Sequence, residues 1–453
     1  MALAVLAAWI SATAAEGAFF QVSETCPLGL GAAYSGVGAI GDSACAVWLN
    51  PAALVRLEGE EVVFGLHSIA PSVRFENGAS RIFTAARLEG GPGGDAGETA
   101  LVPNAYYGRR VGPRLAIGLG VNSPFGLATE YEPGWVGRYH ALRSELRTIN
   151  FQTGLGYRLT DKVSVGLSAG FVSVDAELSQ ALDLGSACLV LELSEVRAAG
   201  SCGATGILPQ RSDGVATVEA DGDGIGFSAG LLWEPARFFR VGLGYRSAIS
   251  LSLEGGSSVA TPGAAAATIA STIGATDSRV RAELELPDSA SFHLAWRFAK
   301  RWEFSGDWTR TDWSGIRELR IVDQSGARDS SITLELRDSV RKSIGITWTP
   351  VTRWTLSVGV ASDETASRSA RLQTVRLPDA DRVWATAGAT YSGFGSLEPY
   401  LAFARIRSDG APIEKLAFPN TEDFLRGSLR GTYALDADIV SLGLRWRLRA
   451  TTN

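Results

Sequence analysis

Few residues in this sequence have the types and spacing that catalysis needs. A nucleophilic mechanism requires a Ser or Asp beside a His that acts as a base. The chain of 453 residues has three histidines, His67, His140 and His293, which are far apart and share no H-x-x-x-H spacing. Isolated histidines of this kind are more often packing or rim residues, so we expect no enzyme and no cofactor.

Residues 221–224, with the sequence DGDG, are similar to the start of a calcium-binding loop. Such a loop also needs further acidic ligands and a closing Glu. The residues that follow, IGFSAGLLW, supply neither. We therefore interpret DGDG as a turn that leads into the next strand, and we expect no metal site.

Four cysteines form two groups along the chain. Cys26 and Cys45 belong to the N-terminal segment, whereas Cys188 and Cys202 bracket a loop-like segment. Disulfides in both places fit an exported protein in an oxidising compartment. The spacing does not fix the pairing, and unpaired thiols are the alternative.

The composition indicates an ordered chain that does not bind nucleic acid. Hydrophobic residues make up 45%, charged residues 20%, and the net charge is −6. An acidic balance without a basic tail argues against a nucleic-acid partner. The 52 glycines and 40 aromatic residues (12 Trp, 18 Phe and 10 Tyr) are instead typical of a chain built from strands and tight turns.

The first residues predict export from the cytoplasm. Residues 1–15, MALAVLAAWISATAA, form an apolar run that ends in small residues, with Ala12-Thr13-Ala14 as an A-x-A cleavage signal. The run lacks an early Lys or Arg, so a mis-assigned start or a short buried helix is the alternative. No later run of about 18 apolar residues predicts a transmembrane helix.

From residue 60 onward, apolar residues alternate with Gly, Ser, Asn or charged residues. This period of two predicts β-strands. Clear examples begin at Leu115, Ile149, Val163, Ile225, Phe292, Trp354 and Val440. Because the alternate positions are rich in Gly, Ser and Ala, the pattern favours a transmembrane barrel with a filled lumen over a sandwich whose polar face meets water.

Two further features favour a barrel in a membrane. Aromatic residues that could form interfacial girdles fall near predicted strand ends, at Trp233, Tyr245, Trp302, Trp348 and Trp354. Short links at residues 159–162, 234–237, 299–301 and 349–353 alternate with long polar stretches, roughly residues 178–220 and 254–278. We expect the long stretches to be external loops.

Several motifs, in order along the chain, resemble the FadL family of outer-membrane transporters for long-chain fatty acids and other hydrophobic compounds. The N-terminal ones are residues 29–31 (GLG), 33–41 (AYSGVGAIG) and 50–52 (NPA). Later ones are residues 102–104 (VPN), 122–131 (NSPFGLATEY), 224–233 (GIGFSAGLLW), Trp313 and 377–384 (LPDADRVW).

The resemblance implies an all-β fold, an antiparallel transmembrane β-barrel of about 14 strands plugged by a small N-terminal hatch domain. We accordingly divide the chain into a signal peptide (1–15), a hatch (16–58), a barrel (59–449) and a C-terminal tail (450–453). The expected location is the outer membrane of a Gram-negative bacterium, with membrane lipid as a partner and the protein a monomer.

The resemblance also implies passive uptake of a hydrophobic ligand that leaves sideways through the barrel wall. Phe20, near the mature N-terminus, and Asn50, Pro51 and Ala52 would belong to the gating hatch. Pro124, Phe125 and Gly126 would form the inward kink of the third strand that opens the wall. Without the family, an ordinary turn at a strand end is the alternative interpretation of SPFG.

Arg337 is the candidate for binding the carboxylate of a fatty acid, by its match to a basic position of the family, and an ion pair with Asp338 or Glu335 at the rim is the alternative. A second family cation, expected near residues 172–178, has no counterpart in VSVDAEL. This departure leaves uptake of aromatic or aliphatic hydrocarbons as an alternative to fatty-acid uptake. A structural barrel or adhesin is a third reading, which the hatch argues against.

Overall fold

The computed structural model describes residues 19–326 and 329–450, so the predicted signal peptide and residues 451–453 of the tail lie outside it. Twenty strands are described: β1 (Gly59–Asn77), β2 (Ala100–Arg110), β3 (Leu115–Asn122), β4 (Gly126–Glu130), β5 (Arg143–Arg158), β6 (Val163–Asp183), β7 (Asp213–Ala236), β8 (Phe239–Arg246), β9 (Ile249–Ala260), β10 (Ser278–Leu286), β11 (Ser289–Ala299), β12 (Trp302–Thr311), β13 (Glu318–Asp323), β14 (Ser330–Thr333), β15 (Ser339–Val351), β16 (Trp354–Asp363), β17 (Arg382–Tyr391), β18 (Leu397–Ser408), β19 (Ala411–Lys415) and β20 (Leu429–Ala450).

Fourteen of these strands form a closed antiparallel ring, which confirms the predicted barrel. The ring runs β1-β2-β3-β5-β6-β7-β8-β11-β12-β15-β16-β17-β18-β20, and β20 pairs with β1 to close it. Closure matters in lipid because an open sheet edge would leave backbone groups without hydrogen bonds. The other six strands extend the ring at the end that carries the long connections.

Alternation along the ring strands separates an apolar outside from a polar inside. Phe151 of β5 and Leu167 of β6 are 54% and 62% exposed. Their neighbours Gln152 and Ser168 are buried in the interior, where the Gln152 amide donates to the Ser168 hydroxyl over 2.6 Å. Near the short turns, the exposed rings of Trp302 and Trp348 stack with centroids 5.2 Å apart, as expected for an interfacial girdle.

The ring strands are longer than the sequence pattern predicted, and the predicted loops are correspondingly shorter. β6 and β7 run to Asp183 and from Asp213, so much of the predicted 178–220 loop is paired strand. Asp221 and Asp223 also lie inside β7, so the interpretation of DGDG as a turn was wrong. Both predictions failed because the extensions are rich in Asp, Gly and Ser, which are common in turns, although alternation continues, with Asp221 and Asp223 on one face of β7 and Gly222 and Gly224 on the other.

Helices are few and short. The α-helices are α1 (Val37–Ile40), α2 (Ala46–Leu49), α3 (Leu184–Leu193), α4 (Ser201–Ala204) and α5 (Ala264–Thr272), and the 3-10 helices are η1 (Pro27–Ala32) and η2 (Pro51–Arg56). None of the helices in the described ranges is long and apolar enough to cross a membrane. Two disulfides, Cys26–Cys45 and Cys188–Cys202, fix the pairing that the sequence left open.

Residues 19–57 contact the inner face of the ring on many sides. Glycines on the strands allow this approach: a Cβ at Gly166 of β6 would lie 2.2 Å from Ala52 N, and one at Gly359 of β16 would lie 2.4 Å from the Ala32 carbonyl carbon. The N-terminal segment therefore lies within the ring. Its exact boundary at residue 58, and its independence as a domain, stay predictions.

Candidate functional site

The third strand of the ring is broken at the predicted kink residues. β3 pairs with β5 up to Asn122 and Asn150, and β4 resumes this pairing at Gly126 and Arg147. Three residues, Ser123 to Phe125, thus lie opposite two residues of β5. One extra residue in a strand produces a β-bulge that bends it, and Pro124 cannot donate a hydrogen bond to a neighbouring strand.

The break leaves β2 without a neighbour over part of its length. β2 pairs with β3 only from Ala105 to Arg110. Residues 100–104 pair with β1 on one edge only. In the described ranges, no strand pairs with their second edge, and the single bridge nearby, between Gly97 and Thr129, lies outside residues 100–104. The barrel wall therefore has a local gap between β2 and β4.

The first described residues, 19–25, form an extended segment that we call the arm, and the arm pairs with the broken strand from inside. Val22 N donates to Pro124 O over 2.9 Å, and Gly126 N donates to Phe20 O over 3.0 Å. Gln21 and Phe125 form an antiparallel bridge. The structure thus brings the predicted gating residue Phe20 and all three predicted kink residues together.

Aromatic rings reinforce this contact. The Phe20 ring lies 5.7 Å from the Phe125 ring and 5.0 Å from Trp313, and Phe19 lies 5.7 Å from Trp313. Trp313 is fully buried, and its indole N–H donates to the Ser339 hydroxyl over 3.1 Å. Aromatic pairs at such distances add stability beyond their buried area, so they hold the arm against the break.

An apolar cavity of about 300 Å³ begins at the arm. Its lining includes Phe19, Phe20, Leu146, Leu253, Ile316 and Leu334. Much of this wall comes from β9, β10, β13 and β14, which lie outside the ring and which sequence reasoning did not single out. A concave, mostly apolar pocket with a few charged groups is the usual form of a site for a hydrophobic small molecule.

The candidate cation Arg337 does not line this cavity. Its Nε donates to Thr365 O over 3.1 Å. Two other arginines do line it, Arg317 and Arg376. Arg376 is buried, its Nη2 donates to the Gln180 side chain over 3.0 Å, and burial lowers its pKa to about 9, which leaves it cationic at neutral pH.

The predicted hatch residues Asn50, Pro51 and Ala52 lie against the inner faces of β5, β6 and β7. Asn50 is fully buried, and its Nδ2 donates to Gly38 O over 2.7 Å and to Leu231 O of β7 over 3.1 Å. Its Oδ1 accepts from Ala52 N and caps η2, in which Pro51 is the first residue. Asn50 therefore joins two parts of the N-terminal segment to the barrel wall.

A separate polar chamber of about 120 Å³ lies on the other side of the arm. Arm residues Gln21, Val22, Ser23 and Thr25 line it, together with Tyr34, Arg246, Arg341 and Asp363. Arg341 Nη2 donates to Ala33 O over 2.9 Å. Consecutive arm residues thus face the apolar cavity and then the polar chamber, so the arm is the partition between them.

One histidine does meet a serine and an aspartate in this chamber. His293 Nε2 lies 2.9 Å from Ser291 Oγ, and His293 Nδ1 lies 2.5 Å from Asp307 Oδ2. A Cβ on Gly38 would lie only 2.3 Å from the His293 ring, so the N-terminal segment covers that ring. The other two histidines lie elsewhere, and the described part of the chain holds no cluster of metal ligands.

Comparison with known proteins agrees with this architecture. The family described as outer membrane protein transport protein (OMPP1/FadL/TodX) matches residues 6–448. The chain is 30% identical to a 47 kDa outer membrane protein of Pasteurella multocida, over 93% of each chain. It is also 30% identical to the long-chain fatty acid transport protein of Escherichia coli K12, over 86% of this chain and 88% of the relative.

Solved structures show the same fold. A Pseudomonas aeruginosa FadL homologue superimposes with a TM-score of 0.84 at 22% identity, covering 95% of this chain and all of that one. The Pseudomonas putida toluene transporter TodX gives 0.63 at 18% identity, covering 88% and 94%. With a closed barrel, an apolar outer belt and a family match over almost its whole length, the chain belongs to the FadL/TodX family of outer-membrane transport proteins.

Proposed function

We propose that this protein takes up long-chain fatty acids or similar amphiphiles and releases them sideways into the outer membrane. The observation that carries the proposal is the apolar cavity, which ends at the arm where the wall is broken between β2 and β4. Phe20 belongs to both places, since it lines the cavity and pairs with Gly126.

Sideways release follows from the polarity of the two routes. An apolar chain loses about 0.8 kcal/mol for every CH₂ that moves from a hydrocarbon environment into water. Straight passage would bring the ligand into the chamber with Arg246, Arg341 and Asp363. Passage through the gap reaches the lipid directly, so the lateral route costs less free energy and needs no energy source.

The N-terminal segment is proposed to act as the hatch. Asn50 and its neighbours keep one end fixed on β7, while the arm, with Phe20, covers the gap at the other end. Withdrawal of the arm from Phe125 would join the cavity to the gap. A monomer suffices for this route, because every residue named belongs to one chain.

Neutral hydrocarbons are the second candidate. Four carboxylates, Glu145, Glu283, Glu285 and Glu318, line the cavity against two arginines, which disfavours an anion. Three of the four have an arginine within 4 Å, namely Arg147 for Glu145, Arg281 for Glu283 and Arg320 for Glu318, which reduces this effect. Arg337, with its carbonyl partner, stays a proposal for a head-group contact, and Arg376 is the stronger candidate.

Deletion of Pro124 tests the lateral route. It removes the one extra residue between the two pairings with β5, so β3 and β4 become a single strand in continuous register. That strand can then pair along residues 100–104 of β2 and close the gap. We expect cells that produce this variant to take up labelled dodecanoate at least about tenfold more slowly than cells with the unmodified chain. A rise of ~1.4 kcal/mol in the barrier of the release step has this effect.

Pro124→Ala is the matched control, because it keeps the extra residue and hence the break. It should retain most of the uptake, and both variants should show the heat-modifiable migration of a folded barrel. Full uptake by the deletion variant, with the strand shown to be continuous, would rule out lateral release at this place.

A further inference from the structure

One side of the barrel end that carries the short turns has an excess of exposed cations. Three neighbouring turns join β7 to β8, β11 to β12 and β15 to β16, and adjacent turns in this part of the ring are two strands, roughly 10 Å, apart. The turns and the strand ends beside them carry five exposed cations, which we call the basic patch: Arg237, Arg297, Lys300, Arg301 and Arg353.

The carboxylates at these turns pair mainly with arginines outside the basic patch. Glu234 and Glu303 have side chains that are only 17% and 13% exposed. Glu234 pairs with Arg56 of the N-terminal segment, and Glu303 pairs with buried Arg240 over 2.5 Å. Arg297 reaches Glu303 over 3.4 Å, whereas the rest of the patch has no carboxylate within 4 Å among the described residues. The patch is therefore strongly positive in a chain whose net charge is −6.

Exposed aromatic rings lie beside the basic patch. Six of the rings at these turns are between 38% and 56% exposed: Phe238, Trp296, Phe298, Trp302, Trp348 and Trp354. Tryptophan rings prefer the level of a membrane at which hydrocarbon meets the lipid headgroups. The basic patch therefore lies at the depth of the headgroups, where its side chains can reach a lipid phosphate.

We propose that the basic patch binds the phosphate groups of anionic phospholipids in the membrane leaflet that faces the periplasm. The short turns of outer-membrane barrels lie on that side. Clustered Lys and Arg residues at a membrane surface attract anionic lipid, and a guanidinium can donate two parallel hydrogen bonds to a phosphate. The acyl chains of the same lipid would contact the exposed rings. This inference holds whichever ligand the barrel transports.

The arrangement of the patch favours a lipid over an acidic soluble protein as its partner. A soluble protein would be bound by cations that project beyond the membrane, away from apolar side chains. Here Arg297 lies between Trp296 and Phe298 in the sequence, and Arg353 directly precedes Trp354. Because these rings mark the hydrocarbon boundary, a partner that contacts both the rings and the cations needs an apolar part and an anionic part, as a phospholipid has.

The test compares two phospholipids with equal acyl chains, dioleoylphosphatidylglycerol and dioleoylphosphatidylcholine. Their binding to the delipidated full chain in a neutral detergent is measured by native mass spectrometry. The unmodified chain should bind the anionic lipid at least about tenfold more tightly, and the triple variant Arg237→Gln, Lys300→Gln, Arg353→Gln should reduce this preference to less than about threefold. Arg301 is left unchanged, because its Nη1 donates to Pro350 O over 2.7 Å and supports the turn.

A second triple variant is the matched control. Arg87→Gln, Arg279→Gln and Arg407→Gln remove the same amount of charge from exposed positions toward the opposite end of the barrel. This control should keep the lipid preference of the unmodified chain, and both variants should show the heat-modifiable migration of a folded barrel. Binding of phosphatidylcholine should change by less than about twofold in either variant.

Three results would overturn the inference. Equal binding of the two lipids by the unmodified chain would exclude an anionic-lipid site and leave the patch to an acidic protein of the periplasm. An unchanged preference in the patch variant would place the anionic lipid elsewhere on the barrel. An equal loss of preference in both triple variants would mean that total charge, and not the basic patch, attracts the lipid.

Discussion

At the scale of single residues, the functional region depends on where polar groups are left without partners. Asn50 uses both its amide nitrogen and its oxygen in hydrogen bonds that fix the N-terminal segment. Glu24 lacks such support, and its burial is costly once it is ionised. The polar side chain is therefore satisfied at Asn50 but not at Glu24, where backbone hydrogen bonds and aromatic contacts hold the arm instead.

The Glu24 carboxyl should make arm docking pH-dependent. Its pKa is raised from 4.5 to about 7, so the docked arm holds a proton that the free arm releases. Docking is therefore strongest below about pH 4.5 and weakens as the pH rises to about 7, by up to about 3 kcal/mol at ~1.4 kcal/mol per unit. Hydrogen exchange of residues 19–25 at pH 5 and pH 8, corrected for intrinsic rates, measures this.

Glu24→Gln is the control for this prediction, because the amide has nearly the same shape and does not titrate. Its arm should show no weakening over the same pH range. If the variant weakens as much as the unmodified chain does, a group other than Glu24 is responsible.

At the scale of elements, close approach between η2 and the barrel strands holds the N-terminal segment. A methyl group at Gly166 would lie 2.2 Å from the Pro51 carbonyl carbon, where backbone cannot move aside easily. We expect Gly166→Ala to destabilise the seated segment by about 1 to 3 kcal/mol. Faster limited proteolysis near residues 50–58, with the barrel still folded, would show it.

Gly306→Ala is the matched control on the ring. A Cβ there would have its nearest atom, Ser343 O of the neighbouring strand, 3.9 Å away, which is an ordinary contact. Its proteolysis rate should equal that of the unmodified chain. Equal rates for Gly166→Ala would mean that η2 shifts at no cost, contrary to the close packing described.

The broken third strand is the second feature at this scale. The gap in the barrel wall does not depend on one side chain. The extra residue shifts the register between β3 and β4, and the neighbouring edge of β2 therefore has no partner. The arm, an element distant in sequence, covers that break. Pro124 and Phe20 thus act through the elements that carry them.

At the scale of the whole molecule, the ring presents an apolar belt to lipid while its extensions meet water. Leu167 on β6 and Leu193 at the end of α3 are 62% and 70% exposed, yet only Leu167 lies on the belt. Leu167→Arg should lower the free energy of unfolding by about 2 to 4 kcal/mol. Leu193→Arg should change it by less than about 0.5 kcal/mol.

Reversible urea unfolding in lipid vesicles measures both values. Similar losses for the two variants would mean that α3 also contacts the membrane. Equal and negligible losses would contradict the position of the belt at Leu167.

The sequence by itself determined the barrel, its apolar exterior and the family, because alternation with a period of two and ordered motifs are local signals. The resemblance to the family pointed to Phe20 and to the residues from Pro124 to Gly126, and their roles stay proposals; proline and glycine alone only suggest a break in a strand. The sequence did not predict the strand extensions, because Asp, Gly and Ser, which are common in turns, occupy many of their positions.

Only the tertiary structure decided which residues contact each other across the lumen of the barrel. Nothing in the sequence singled out Arg341, Arg376 or Glu24. Their burial and partners depend on contacts between residues hundreds of positions apart, such as Arg341 with Ala33 and Arg376 with Gln180. The disulfide pairs were likewise fixed by folding, since spacing alone permits other pairings.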